Sequence, residues 1–199
     1  TTASYNAIFG TYAGQELTTG SRNTLVGHYA GRRLETAGSN VAIGYHALAG
    51  TSGAQGNRNV AVGYEAAEDL TNAQGLIAIG YYAGKEVTTA GDQVIIGYEA
   101  GKTLTSGANN TFIGSSSGKV ATGNYNVGLG HATMQNLTSG NNNICIGYSA
   151  DPSSNTVSNE VTIGDSNITK FRIPGINFTL KDTTATEDYV LTVDSNGVF

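Results

Sequence analysis

Tryptophan is absent, and cysteine, methionine and proline are nearly so, at one, one and two residues in 199. The lone Cys145 excludes an internal disulfide framework. Two prolines among 28 glycines do not describe a disordered linker, where proline and charge rise together. Charged residues make up 13%, against roughly 25% in an ordinary soluble domain. Net charge is −5 and no basic stripe is present, which argues against nucleic acid and anionic membrane surfaces as partners. The longest apolar runs are a few residues, too short for a bilayer-spanning helix. No signal peptide opens the chain. The first residue is Thr1, not Met, and the last, Phe199, stands two residues past a Ser-Asn-Gly turn signal, so the chain reads as a segment of a longer protein.

What is present is a repeat. A glycine closes a short apolar triplet at Gly10, Gly27, Gly44, Gly63, Gly80, Gly97, Gly114, Gly130, Gly147 and Gly164, with spacings of 17, 17, 19, 17, 17, 17, 16, 17 and 17. A fixed period of this kind is the mark of stacked repeats. Four residues before the glycine stands Asn6, Asn23, Asn40, Asn59, Asn110, Asn126 or Asn143, with Leu76, Gln93 and Glu160 as the departures. Asparagine tolerates turn conformations and bonds nearby backbone, and one per coil permits a ladder of amides. Within the triplets, β-branched residues at a period of two predict short strands. Three residues after the glycine comes a small residue, four further on an apolar one, then "TTG", "TSG" or a variant. Each unit therefore reads as one coil: strand, turn, second short extended segment, turn. No helix-period patterning is present. Ten coils about 4.8 Å apart make a rod core of roughly 45–50 Å.

Both faces of the triplet are free of charge. The flanking positions are large and β-branched, and the middle ones run Ile8, Leu25, Ala42, Ala61, Ala78, Ile95, Phe112, Gly128, Cys145, Thr162. A strand apolar on both sides is buried on both sides. We expect the flanking row to line the coil and the middle row, Ala78 included, to pack against the same strand of a neighbouring chain, making an oligomer. Residues 165–199 leave the repeat. Alternation at Ile176, Phe178 and Leu180, and again at Tyr189, Leu191 and Val193, predicts two or three longer strands in a C-terminal connector after a repeat domain of 1–164.

"NAIFGTYAGQELTTGSRN" (6–23) and "NTLVGHYAGRRLETAGSN" (23–40) resemble the head repeats of YadA-like trimeric autotransporter adhesins. They resemble more closely the repeats of phage and virus tail-fibre proteins that end in an endosialidase-type chaperone domain. "IPGINFTLKD…LTVDSNGVF" is similar to the connector before that chaperone. The resemblance covers about residues 6–164. It implies an all-β, parallel left-handed β-roll or β-solenoid of about ten coils, a homotrimer. It also implies a place in the virion beside other virion proteins, with a bacterial cell surface as the alternative. The chaperone is absent from this sequence, so no self-cleavage residues carry over.

Candidate chemistry is sparse. The residue after each closing glycine reads Thr11, His28, Tyr45, Tyr64, Tyr81, Tyr98, Ser115, His131, Tyr148, Asp165. Rings at Tyr45, Tyr64, Tyr81 and Tyr98 offer faces for the pyranose rings of a host-surface glycan or receptor. Stacking alone, or a chain–chain seam, accounts for the same recurrence. Acids at Glu16, Glu35, Glu68, Asp69, Glu86 and Asp92 fall in turn segments and do not repeat in register as the carboxylate pair a glycosidase needs. The histidines lack metal-ligand spacing, and no nucleophile elbow or P-loop occurs. We expect no catalysis, metal or cofactor. The insertion "GTSGAQGNRN" (50–59) lengthens one coil by two residues, which should project from the rod and bring Asn57 or Arg58 within reach of a ligand. The functional expectation is a structural virion fibre segment for host attachment, with a bacterial trimeric adhesin and then a polysaccharide depolymerase as alternatives.

Overall fold

The computed structural model describes residues 4–170. The strands expected at 176–180 and 189–193 lie outside them. The repeat region forms one compact unit, Thr1–Asn167. Ten three-residue strands make a single parallel sheet in chain order: β1 (Ala7–Phe9), β2 (Thr24–Val26), β3 (Val41–Ile43), β4 (Val60–Val62), β5 (Ile77–Ile79), β6 (Val94–Ile96), β7 (Thr111–Ile113), β8 (Val127–Leu129), β9 (Ile144–Ile146) and β10 (Val161–Ile163). Each strand pairs with the next without a register shift, as in Ala61↔Ala78↔Ile95. The result is a β-solenoid with no helix among the described residues. The expected second extended segment does not become a strand. It still bonds coil to coil, as where the Gly84 N–H donates to Ala100 O and Thr88 N–H to Thr105 O. Left-handed residues on both sides of it, Tyr82 and Gly84 before it at φ +57° and +55° and Asp92 after it at +50°, deny it regular extended geometry.

The asparagine row fastens each coil to the next. Its Oδ1 accepts the backbone N–H at the start of the following coil, at 2.8–3.0 Å, for Asn6, Asn23, Asn40, Asn59, Asn110, Asn126 and Asn143. Its Nδ2 donates to a carbonyl in the turn that closes its own coil, at Gly20, Ala37, Gly56, Ala73, Gly123, Gly140 and Val157. Direct amide–amide bonds are secondary and join Asn23 to Asn6 and Asn143 to Asn126. Gln93 makes both kinds of bond with its longer side chain, to Asn110 N–H and Gly107 O. Leu76 makes neither.

The two strand faces are the reverse of the sequence expectation. The middle row points into the coil: Leu25, Ala42, Ala61, Ala78, Ile95, Phe112 and Cys145 are wholly buried. The flanking row faces outward, with Ile77 and Ile79 each 36% exposed. The cause is parity. The asparagine amide must be inside to reach the turn carbonyl, and side chains two residues apart share a face. The narrow interior also favours the small row. Its one large ring, Phe112, is accommodated by glycines: a Cβ on Gly118 would lie 2.5 Å from the Phe112 ring, and one on Gly128 3.2 Å away. Ser117 and Thr133 replace alanine beside Gly128 and bond to each other at 2.7 Å.

From Gly10 to Gly130 the closing glycines hold φ between +131° and +139°, and a Cβ on Gly80 would meet Gly97 O at 2.5 Å. Gly80→Ala therefore loses at least ~3 kcal/mol, measurable as a shifted denaturant midpoint. Asn110→Leu strands the buried Asn126 N–H and Gly123 carbonyl and costs about 2–5 kcal/mol. By contrast, Tyr125 is 61% exposed at φ +58°, where coils nearby carry Asn109 and Asn142. Tyr125→Asn should stabilise by about 0.5–1 kcal/mol, because asparagine tolerates this conformation better.

Candidate functional site

The outward parity set by the strand continues past the closing glycine, so the next residue projects beside the flanking row. Tyr45, Tyr64, Tyr81 and Tyr98 form one column. Successive centroids are 4.9, 5.1 and 5.3 Å apart and the planes lie within 12° of parallel. His28 extends the column at 5.4 Å from Tyr45. This stacking covers both faces of Tyr45, Tyr64 and Tyr81, so those rings present edges, not faces, to the solvent. The column stops at Tyr98, which is 53% exposed, because the next rung is Ser115. It resumes with His131 on Tyr148 at 5.4 Å and 8°.

Beside the column runs a charged ridge. Glu65 and Glu99 sit two residues after their closing glycines, in left-handed backbone at φ +50° and +52°. Lys102 and Lys119 reach Glu99 at 2.8 and 2.6 Å. Lys85 pairs with Glu65 and, at 3.2 Å, with Glu68, and also lies over the Tyr82 ring. The His46 ring lies 2.9 Å from Glu68. The lysine bonds hold the Glu99 carboxyl below its ordinary value. Burial pushes Glu65 up, but bonds to Lys85, Tyr64 and Glu68 outweigh it and the net direction is down. The Tyr64 hydroxyl, bonded to Glu65, is pushed up to about 12. Burial raises the Cys145 thiol to about 11, which makes it an inert core group. No cluster of three His, Cys, Asp or Glu suited to a metal occurs among the described residues.

At the insertion, Ser52 and Gly53 project while Ala54 returns to the core. Asn57 is occupied: its Oδ1 accepts Gly38 N–H at 2.6 Å and its Nδ2 donates to Gln55 O. Arg58 bonds Gln74 at 3.1 Å. With Arg22 it lines an open groove of about 450 Å³ that contains no carboxylate. The sequence had marked the ring column and the insertion. It had not marked the lysine–glutamate ridge, whose members sit five and two residues after the closing glycines and, apart from Lys102 with Glu99, meet only when coils stack.

No family model matches the chain, and no curated protein or solved structure is significantly similar to it.

The ridge sets an acid limb to stability. Glu65 and Glu99 have folded-state values below the ordinary 4.5. Their contribution is present above pH 4.5 and is lost as pH falls through the lowered values. Melting temperature should therefore fall as pH drops below 4.5, and Glu99→Gln should flatten that fall by giving up the same stabilisation at pH 7. Circular-dichroism melts across pH 3–7 measure both.

Proposed function

We propose that the chain is a non-catalytic structural segment of a virion fibre, three copies packed about one axis as left-handed β-rolls, which contributes to host attachment. The observation that carries this reading is the outer strand row. It runs through all ten coils without a charge and leaves Ile43, Ile77, Ile79, Ile113, Ile144 and Ile146 between 36% and 40% exposed. Ten strands at the sheet spacing make a stripe about 43 Å long. Three strand residues wide, the stripe covers about 10 Å by 43 Å, or roughly 430 Å². That is the scale of the largest contiguous apolar patches on monomers, which are often interaction surfaces, and a further copy covers it while leaving the ring column free. Further copies of the chain supply a matching surface with the same coil rise, so apolar rows meet in register along the whole rod.

The repeat motif supports a fibre or adhesin shaft, and its closer likeness to tail-fibre repeats favours the virion over a bacterial surface. The carboxylates support a non-catalytic role, since Glu65, Glu68 and Glu99 are each held by a cation on one ridge rather than opposed across a cleft. A host glycan is the partner proposed for the ring column, with weak single contacts multiplied by three chains.

Light scattering should give three times the 20.5 kDa chain mass. Ile77→Glu with Ile79→Glu should release folded monomers, because the new charges meet water once the chains part. Ala78→Glu should instead unfold the coil, because that side chain is interior. A wild-type chain that is folded and monomeric at micromolar concentration would refute the trimer.

A further inference from the structure

We infer that the break in the ring column at Ser115 is a binding slot for one sugar ring, sandwiched between Tyr98 and His131. This rests on the attachment reading for the identity of the ligand, but not for the geometry. The backbone register passes through the break undisturbed: Ile96 pairs with Ile113 and Ile113 with Leu129. The Ser116 N–H donates to Tyr98 O and the Ala132 N–H to Ser115 O, both at 2.8 Å. Tyr98, Ser115 and His131 are therefore three successive rungs, and only the middle one lacks a ring. Two coil steps put the outer rings about 10 Å apart. That leaves about 5 Å on either side of an inserted ring, the separation at which the other rungs stack.

The break is also where the column has faces to offer. Tyr64 and Tyr81 are covered on both sides, whereas Tyr98 is stacked only on Tyr81, and His131 only on Tyr148, among the described residues. Both flanking rings are exposed. The Ser115 side chain, half-buried between them, supplies a hydroxyl that can donate and accept. Beside it runs the ridge of Glu99 with Lys102 and Lys119. A pyranose presents two C–H faces to the flanking rings and its hydroxyls around the rim. Apolar faces above and below with polar groups at the edge match that chemistry. A charged or extended aliphatic ligand finds no such fit. The slot holds one ring, so affinity per chain is low, and repetition around the rod or along a polymeric glycan provides the avidity.

The decisive variant is Ser115→Tyr, which fills the slot with the residue that occupies the same rung in five other coils. It should raise the melting temperature by completing the column and abolish binding together. Ser115→Ala should keep the slot open and reduce binding by less than about tenfold. The chain has three histidines and no tryptophan, so the His131 imidazole resonances in NMR and intrinsic tyrosine fluorescence both report on the site. Titrating the full chain with cellotetraose and with galactotetraose should shift His131 and quench tyrosine emission, with the effect lost in Ser115→Tyr and in Tyr98→Ala. Oligosaccharide binding that persists in Ser115→Tyr, or no His131 shift with either sugar at tens of millimolar, overturns the slot. Binding of phenol but of neither sugar overturns the sugar assignment. Oligomeric state is measured on the same samples: a monomer that binds sugar at His131 removes the trimer and keeps the slot, and a trimer without the shift does the opposite.

Discussion

Everything in this rod follows from one inward-pointing amide, present in eight of its ten coils. A solenoid wound so tightly has few side chains with which to satisfy the backbone groups its turns expose inward. The asparagine answers two of them at once, accepting the first N–H of the next coil and donating to the carbonyl that closes its own. Those two bonds set the pitch and the ring closure together. They also require the side chain to lie inside, and this fixes the parity of the next several residues. The middle strand residue is then interior, the flanking ones exterior, and the residue past the glycine exterior again. The apolar stripe, the ring column and its gap are consequences of where one amide has to point.

The strands were legible because a period of two inside a period of seventeen leaves little freedom. All ten lie where the triplets predicted, each closed by its glycine. The inside–outside assignment was inverted, although the signal was present in the sequence. Asn40 and Ala42 share parity, and so do the asparagine and the middle strand residue in every coil that carries the amide. What could not be read was the left-handed backbone at Tyr12, Tyr29, His46, Glu65, Tyr82 and Glu99. None of those residue types advertises a positive φ, and β-turn preferences point to glycine or asparagine there. That conformation is imposed by the stack, where the N–H of His46 must meet His28 O and that of Tyr82 must meet Tyr64 O. The ridge of lysines and glutamates was hidden for the same reason, since two of its three lysine–glutamate hydrogen bonds join residues 20 positions apart and one joins residues three apart.

Repetition gives each coil two neighbours and little else, so stability sums over nearest-neighbour steps and local departures are absorbed locally. Coils seven and eight illustrate this. Phe112 is too large for the lumen that alanine fills elsewhere, and the excess volume is removed at Gly118 in its own coil and at Gly128 in the next. Removing the Cβ at residue 128 frees room that Ser117 and Thr133 occupy, and their mutual hydrogen bond lets two hydroxyls replace two methyls in a dry core. Leu76, which forgoes the amide clip, is tolerated because Asn59 and Gln93 hold the coils on either side. The same economy explains Leu48, Ala67 and Met134, which hold φ of +50° to +52° where other coils use glycine. Each accepts backbone strain and returns a side chain to the core.

A column of parallel rings is a poor surface for recognising a sugar and a good one for holding coils together. Each tyrosine gains its neighbours' faces and surrenders its own, so the uncovered faces lie where the ladder is interrupted. An interruption has two sources of cost: the lost stacking, and the two ring faces left wet. A protein selected only for a rigid shaft has reason to fill the gap with a ring, as it does at four successive coils upstream. At Ser115 it does not, although strand register, turn geometry and hydrogen bonding on both sides are those of an unbroken column. The difference between shaft and proposed slot therefore comes down to one missing side chain, flanked by two rings that each stack on a neighbour of their own.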